Sequence, residues 1–223
     1  MLTTHPRFDA VLFDLDGTLV DSETTAIDVF HEEGTALGLS FSREEAFRAF
    51  RGQPMSHCVA YIAERLPQTV LAFGEDFSTG FTAHIRRRQA ERFRQNLSPM
   101  PGARELLQAL GLPFCVATNG PREKAELTLG LTGLLPFFDQ RLFCAYEVGS
   151  FKPEPGLFLH AAKALGAQPS RCAVVEDSLP GVRAGLAAGM QVFSLTDVEP
   201  AIAASGQVRR IAALGELHQL LMG

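Results

Sequence analysis

Two aspartates, Asp14 and Asp16, stand two residues apart in the run Phe13-Asp14-Leu15-Asp16-Gly17-Thr18, directly after a short apolar stretch. Carboxylates so spaced at the end of a strand can point at one spot. Holding like charges together is unfavourable unless a cation or a catalytic task offsets the repulsion. A second acid pair, Glu176-Asp177, closes another apolar run, Cys172–Val175. Between them in sequence come a hydroxyl before a turn, Thr118-Asn119-Gly120-Pro121, and a lysine in a proline-stiffened segment, Phe151-Lys152-Pro153-Glu154-Pro155. Carboxylate-rich oxygen sites favour Mg²⁺, which leaves coordination positions for water and phosphate. A lysine is a compact charge for phosphate oxygens, and backbone N–H groups ahead of a helix cradle an anion. An aspartate can serve as a nucleophile and carry a phosphoryl group, splitting one hard displacement into two easier ones. Each feature also has an ordinary structural reading: an Asp-Gly turn, a Thr/Asn/Gly cap, a surface lysine, a loop acid. Their coincidence at successive strand ends favours chemistry.

The elements that must position these groups can be read from apolar pattern and turn density. AVLFD (10–14), FCVAT (114–118), RLFCA (141–145), CAVVE (172–176) and QVFSL (191–195) read as strands buried on both faces. Helical stretches at Pro121–Leu131, Glu154–Leu165 and Pro180–Ala188 separate the last four. Such alternation predicts an α/β fold, a doubly wound parallel sheet with helices on both faces. Ligand-binding groups then gather at the carboxyl ends of the strands.

Residues 21–97 interrupt the alternation. They hold 7 of the 33 Gly and Pro residues, whereas the other 146 residues hold 26, about twice the density. Helical spacing recurs through Ala26, Ile27, Phe30 and Leu37, then through Phe47, Phe50, Val59, Ile62, Ala63 and Leu66. The later stretch ends in a charged run, Arg86, Arg87, Arg88, Glu91 and Arg92, expected to be the solvated face of a long helix. The expected organisation is a catalytic core, 1–19 and 98–223, with a helical cap domain, 20–97, inserted after the first strand.

At these residues the sequence resembles the haloacid-dehalogenase-like (HAD) phosphotransferases, over nearly the whole chain. Four signatures stand in the family's order: D-L-D-G-T (14–18), the hydroxyl at Thr118, Lys152, and the acid pair 176–177 with its E-D-S-x-x-G-x-x-A-G spacing. The insert matches the family's helical cap, and Val20-Asp21-Ser22-Glu23 resembles its hinge in the subgroup holding β-phosphoglucomutase and sugar-phosphate phosphatases. The resemblance implies that Asp14 attacks phosphorus and that Asp16 protonates the leaving alcohol and later activates water. It implies that Thr118 and Lys152 hold the phosphoryl group, with Thr18, Asn119 and Gly120 beside it. Mg²⁺ is then expected on Asp14, the Asp16 backbone carbonyl and Asp177, with Glu176 a ligand or close neighbour.

In the cap, Glu23, Arg51, Gln53 and His57 are the candidates for choosing a small phosphorylated metabolite, a sugar or sugar-acid phosphate. Mutases of the subgroup carry a phosphate-gripping arginine where Met55 stands here, which favours hydrolysis over phosphomutase action. A phospho-acceptor signalling domain is the alternative of another class, but it leaves the cap insert without a role.

Composition narrows the field further. The chain has 223 residues, 46% hydrophobic and 20% charged, with a formal charge of −5, the profile of a globular protein with a sizeable core. The acidic balance argues against a nucleic-acid partner. Four cysteines lack knuckle or C-x-x-C spacing, and three of them, Cys115, Cys144 and Cys172, read as buried thiols within apolar runs, which argues for a reducing compartment. The longest uncharged stretch, 106–121, is broken by Gly111 and Pro113, too short for a membrane span. A cytoplasmic protein, monomeric by default, is the expectation. Of only three lysines, Lys124, Lys152 and Lys163, the chemistry assigns a role to Lys152 alone.

Overall fold

The computed structural model describes residues 7–73 and 76–222; residues 1–6 of the expected core segment lie outside them. The chain divides into two compact units, one of the described residues through Val20 and from Ser98 onward, the other Asp21–Leu97.

The first unit is built on a parallel sheet of six strands: β1 (Ala10–Phe13), β2 (Phe114–Thr118), β3 (Leu142–Cys144), β4 (Cys172–Glu176), β5 (Gln191–Ser194) and β6 (Val208–Arg210). Their spatial order is β3-β2-β1-β4-β5-β6, the doubly wound, Rossmann-like arrangement. β1 is central because all four of its side chains are apolar and it is fully buried. Its even-numbered residues, Ala10 and Leu12, pack with Cys115, Ala117, Cys172 and Val174 against the apolar faces of two helices, through Leu157, Phe158 and Ala161 and through Val182 and Ala184. The register sets Phe13 opposite Val116 on one side and Val175 on the other. Asp14 therefore emerges beside Glu176 and one residue short of the level of Thr118. Its backbone N–H donates to the Val175 carbonyl at 3.0 Å, which continues the ladder into the loop.

The strand order reverses across β1: β2 and β3 lie to one side, β4 to β6 to the other. Crevices at such switch points are where open α/β sheets hold ligands.

The second unit contains α1 (Glu23–Ala36), α2 (Arg43–Phe50), α3 (Met55–Arg65), α4 (Pro67–Phe73) and α5 (Phe77–Gln95). Its core joins Ile27 and Phe30 to Phe50, Val59, Ile62, Phe81 and Ile85, with the Phe30 and Phe50 rings 5.3 Å apart. Ser42 starts α2 with a capping box: its Oγ accepts from the Glu45 N–H at 3.1 Å, while the Glu45 carboxylate accepts from the Ser42 N–H at 2.6 Å. The charged run on α5 lies on the solvent side as expected, with Arg86, Arg87 and Glu91 exposed and Arg88 and Arg92 partly so. Arg88 Nε donates to Glu33 Oε1 at 2.8 Å and Arg92 to Glu32 Oε2 at 2.7 Å, so part of the run ties α5 to α1.

The core unit continues with α6 (Ala103–Ala109), α7 (Arg122–Leu131), α8 (Ala145–Val148), α9 (Gly156–Ala164), α10 (Leu179–Ala187), α11 (Pro200–Ala203) and α12 (Leu217–Met222). β6 is absent from the sequence reading. It is a three-residue edge strand with two exposed arginines, and a short charged edge carries no apolar run to read. All four cysteines are buried and free, Cys58 included. No helix among the described residues is long and apolar enough to cross a membrane.

Candidate active site

The sequence groups from β1, β4 and the segment after α8 meet at a buried lysine. Lys152 Nζ donates to Asp14 Oδ1 at 2.5 Å and to Glu176 Oε1 at 2.6 Å. The lysine side chain is only 3% exposed and that of Glu176 is fully buried. One ammonium therefore faces two carboxylates out of water, leaving local negative charge uncompensated. Burial, opposed by Lys152 and aided by the charges of Glu176 and Asp16, pushes the Asp14 carboxyl up to about 7. Burial alone lowers the Lys152 ammonium, but Asp14 and Glu176 outweigh it and raise that group, so the lysine stays charged.

This excess charge tests whether a divalent cation fits. Carboxylate oxygens of Asp14, Glu176 and Asp177 lie within 4.8 Å of one another, an all-oxygen set suited to a hard cation. Gly17, at φ +79°, makes room: a Cβ there would sit 2.0 Å from Asp177 Oδ2. Only glycine combines that left-handed backbone with the close approach of the carboxylate. The donor set and the cradle fit a divalent metal. Glu176 is the most committed of the three acids. Its Oε1 accepts from Lys152, and its Oε2 accepts from the Ser178 N–H at 3.1 Å and the Ser178 hydroxyl at 2.8 Å.

The β2 end closes the other side. The Thr118 hydroxyl, 1% exposed, accepts from the Gly120 N–H at 2.9 Å. A Cβ on Gly120 would stand 3.3 Å from Thr118 Oγ1 and 3.7 Å from Asp16 Oδ2. Glycine at 120 thus leaves open the space that Thr118 and Asp16 both border.

Two residues expected to touch phosphate are engaged elsewhere. Asn119 Oδ1 accepts from the Lys152 N–H at 2.9 Å and its Nδ2 donates to the Lys152 carbonyl at 3.2 Å. Both ends of the amide clamp the backbone that carries the lysine, so the Asn119 side chain positions Lys152. Thr18 is fully buried and donates to Asp177 Oδ1 at 3.3 Å, bracing an acid.

In the helical unit, Glu23 accepts from the Gly52 N–H at 2.7 Å and pairs with Arg51 at 3.3 Å. Gln53 is exposed in the same turn, and His57 is exposed on the first turn of α3. The structure thus joins two of the four expected specificity residues directly.

Three further residues contribute, two of them, Ser178 and Gly181, from within the E-D-S-x-x-G spacing. Lys124 Nζ lies 2.7 Å from Asp16 Oδ2. Ser178 is both the α10 N-cap, accepting from Gly181 N–H at 3.2 Å, and a donor to Glu176. Gly181 is the residue whose missing side chain admits Glu176, since a Cβ there would lie 1.8 Å from the Glu176 carboxyl carbon. The E-D-S-x-x-G spacing carries that signal, because a glycine one turn into a helix invites the question of what fills its place. Gly181→Ala is expected to expel Glu176 and to cost about 1–3 kcal/mol of stability with a large loss of activity. Urea denaturation together with assay of the same sample checks this; a Gly181→Ala variant matching wild type in both would refute the packing argument.

The haloacid dehalogenase-like hydrolase profile matches residues 8–189, and the chain belongs to that family. Among curated relatives it is similar to 6-phosphogluconate phosphatase of Escherichia coli K12, 34% identical over 188 residues, 84% of this chain and 82% of that one. It is 32% identical over 198 residues to hexitol phosphatase A of the same organism, covering 85% and 83% of the two chains. A solved HAD family hydrolase from Deinococcus radiodurans R1, with bound phosphate and sodium, superimposes with a TM-score of 0.77 at 33% identity, covering 97% and 96%.

Proposed function

We propose that the protein is a Mg²⁺-dependent phosphatase acting on a small phosphorylated metabolite, a sugar or sugar-acid phosphate, with 6-phosphogluconate the first candidate. The observation that carries this reading is Asp14 at the end of the central strand, held by the buried Lys152 that also binds Glu176, with Asp16 two residues on. Similarity to phosphatases of 6-phosphogluconate and hexitol phosphates supports the substrate class.

In this mechanism an Asp14 oxygen bonds to phosphorus as the ester P–O bond breaks. Asp16 gives its proton to the departing alcohol oxygen. Asp16 then takes a proton from water, whose oxygen bonds to phosphorus as the Asp14–phosphorus bond breaks and phosphate leaves. Lys152 and the Thr118 hydroxyl hold the phosphoryl oxygens, and Asn119 keeps the lysine in place. Asp14, Asp177 and the Asp16 carbonyl would hold Mg²⁺, with Glu176 behind them. Bound there, the ion offsets the repulsion between anionic Asp14 and an anionic ester. The helical unit is assigned the choice of substrate, through the Glu23-braced turn at Arg51–Gln53 and through His57.

The test is a screen of phosphorylated metabolites with Mg²⁺, following both free phosphate and isomerised substrate. Phosphate release that chelation abolishes is expected, with a sugar or sugar-acid phosphate among the best substrates. Faster isomer formation from a hexose 1-phosphate with trace bisphosphate would make the protein a mutase. No turnover with stable self-phosphorylation would make it a phospho-acceptor.

A further inference from the structure

Lys124 has no part in the signatures that define the family site, yet its ammonium lies 2.7 Å from the Asp16 carboxylate. The two side chains are 28% and 26% exposed, so the pair is about three-quarters withdrawn from solvent. Its place is unusual. Pro121 is the N-cap of α7 and Arg122 its first residue, so Lys124 stands in the opening turn. A cation there opposes the helix dipole, and acids are the residues normally favoured. A local rule broken beside a reactive group points to a functional reason. The lysine stem also passes close to Gly120: a Cβ on that glycine would stand 3.9 Å from Lys124 Cδ, 3.7 Å from Asp16 Oδ2 and 3.3 Å from Thr118 Oγ1. The ion pair thus lies against the β2 turn, at the edge of the space that Thr118 borders.

We infer that Lys124 is a positioning residue: it anchors the Asp16 carboxylate beside the β2 turn, from where Asp16, once it has taken a proton from water at this part-exposed pair, passes that proton to the leaving-group oxygen. This inference rests on the phosphatase reading above. In the assisted step Asp16 takes a proton from water, Asp14 bonds to phosphorus as the ester P–O bond breaks, and the Asp16 proton goes to the released alcohol. Lys152 cannot substitute for Lys124, because its ammonium is held by Asp14 and Glu176.

Positioning of a proton donor has a signature that phosphate binding and simple stability do not share. An alkyl alcohol needs protonation to leave, whereas a nitrophenolate leaves without it. For K124M, kcat/KM on a sugar phosphate is expected to fall about 10- to 100-fold, within the range set by general acid catalysis. On p-nitrophenyl phosphate it should fall less than about threefold, and inhibition by inorganic phosphate should be unchanged. K124R, which keeps the charge, should recover much of the sugar-phosphate rate. Equal losses on both esters with weaker phosphate inhibition would make Lys124 a phosphate holder and overturn the proposal, as would no loss at all. Crystal structures of the two variants give a readout independent of turnover. Asp16 should leave its place beside Gly120 in K124M and keep it in K124R; an unmoved carboxylate in K124M overturns the proposal. A wild type that hydrolyses neither ester refutes the phosphatase reading instead, and the Asp16 placement in K124M still decides whether Lys124 anchors it.

Discussion

Asp14→Asn is expected to abolish phosphate release, with a loss on the order of 10⁴-fold or more, because it removes the nucleophile and leaves only binding interactions. The folded state should survive. In metal-free protein the variant is expected to be the more stable form at neutral to alkaline pH. Burial raises the Asp14 carboxyl to about 7, from an ordinary value of 3.8. Between those values the folded chain binds more protons at this site than the unfolded chain, so the contribution of Asp14 to stability falls as pH rises through that window. Asn has no proton to lose. The stability of the variant relative to wild type should therefore climb from about pH 4 to pH 7, by about 1 kcal/mol or more. Urea denaturation in a chelator at pH 5 and pH 8 measures it. Adding Mg²⁺ at pH 8 should stabilise wild type and leave the variant nearly unaffected. Near-normal turnover by the Asp14→Asn variant would reject the nucleophile assignment. A wild type that outlasts the variant at pH 8 in chelator would show that the attraction of Lys152 for Asp14 outweighs its desolvation.

Lys152→Met is expected to be the most damaging of these changes to the fold, and to cost activity as well. The methionine stem fills much the same space, but the carboxylates of Asp14 and Glu176 then face each other without the cation between them. Breaking one partner out of a buried charge cluster costs about 3–5 kcal/mol. The loss should be greatest above pH 7 and smaller as acid protonates Asp14. Turnover should fall on the order of 10³-fold with the loss of a charge that stabilises the transferring group. Chemical denaturation at pH 5 and pH 8 separates this from ordinary packing damage, which would be equal at both. A stable, pH-insensitive Lys152→Met variant would mean that the acids find other partners and that Lys152 is not their counter-ion.

The contrast between Lys152 and Lys124 shows how far residue types and spacing reach. Lys152 was legible because it sits in a proline-stiffened loop after a strand and in a family signature. Lys124 sits in an otherwise unremarked helix, and nothing within its own segment says that a carboxylate 108 positions earlier would meet it, as the 2.7 Å contact shows. Asn119 was legible as a site residue but not in its task. A capping or anion-binding amide and one that clamps a distant backbone have the same local sequence, and only the packing of β2 against the Lys152 segment distinguishes them. The same holds for Thr18, whose partner Asp177 follows the fourth strand.

By itself the sequence determined the fold class, the interrupted first strand and the chemistry of the strand ends. Those follow from local quantities: apolar runs buried on both faces, breaker density, and acids that a strand end cannot hold together without a counter-charge. Only the tertiary structure decided which charges are paired. The parallel register sets Asp14 beside Glu176, Gly17 and Gly181 vacate the volumes that Asp177 and Glu176 occupy, and the two lysines divide between Asp14–Glu176 and Asp16. The physical reason is that Coulomb and steric terms depend on distances of a few ångströms between residues far apart in the chain, and those distances exist only once the sheet has assembled.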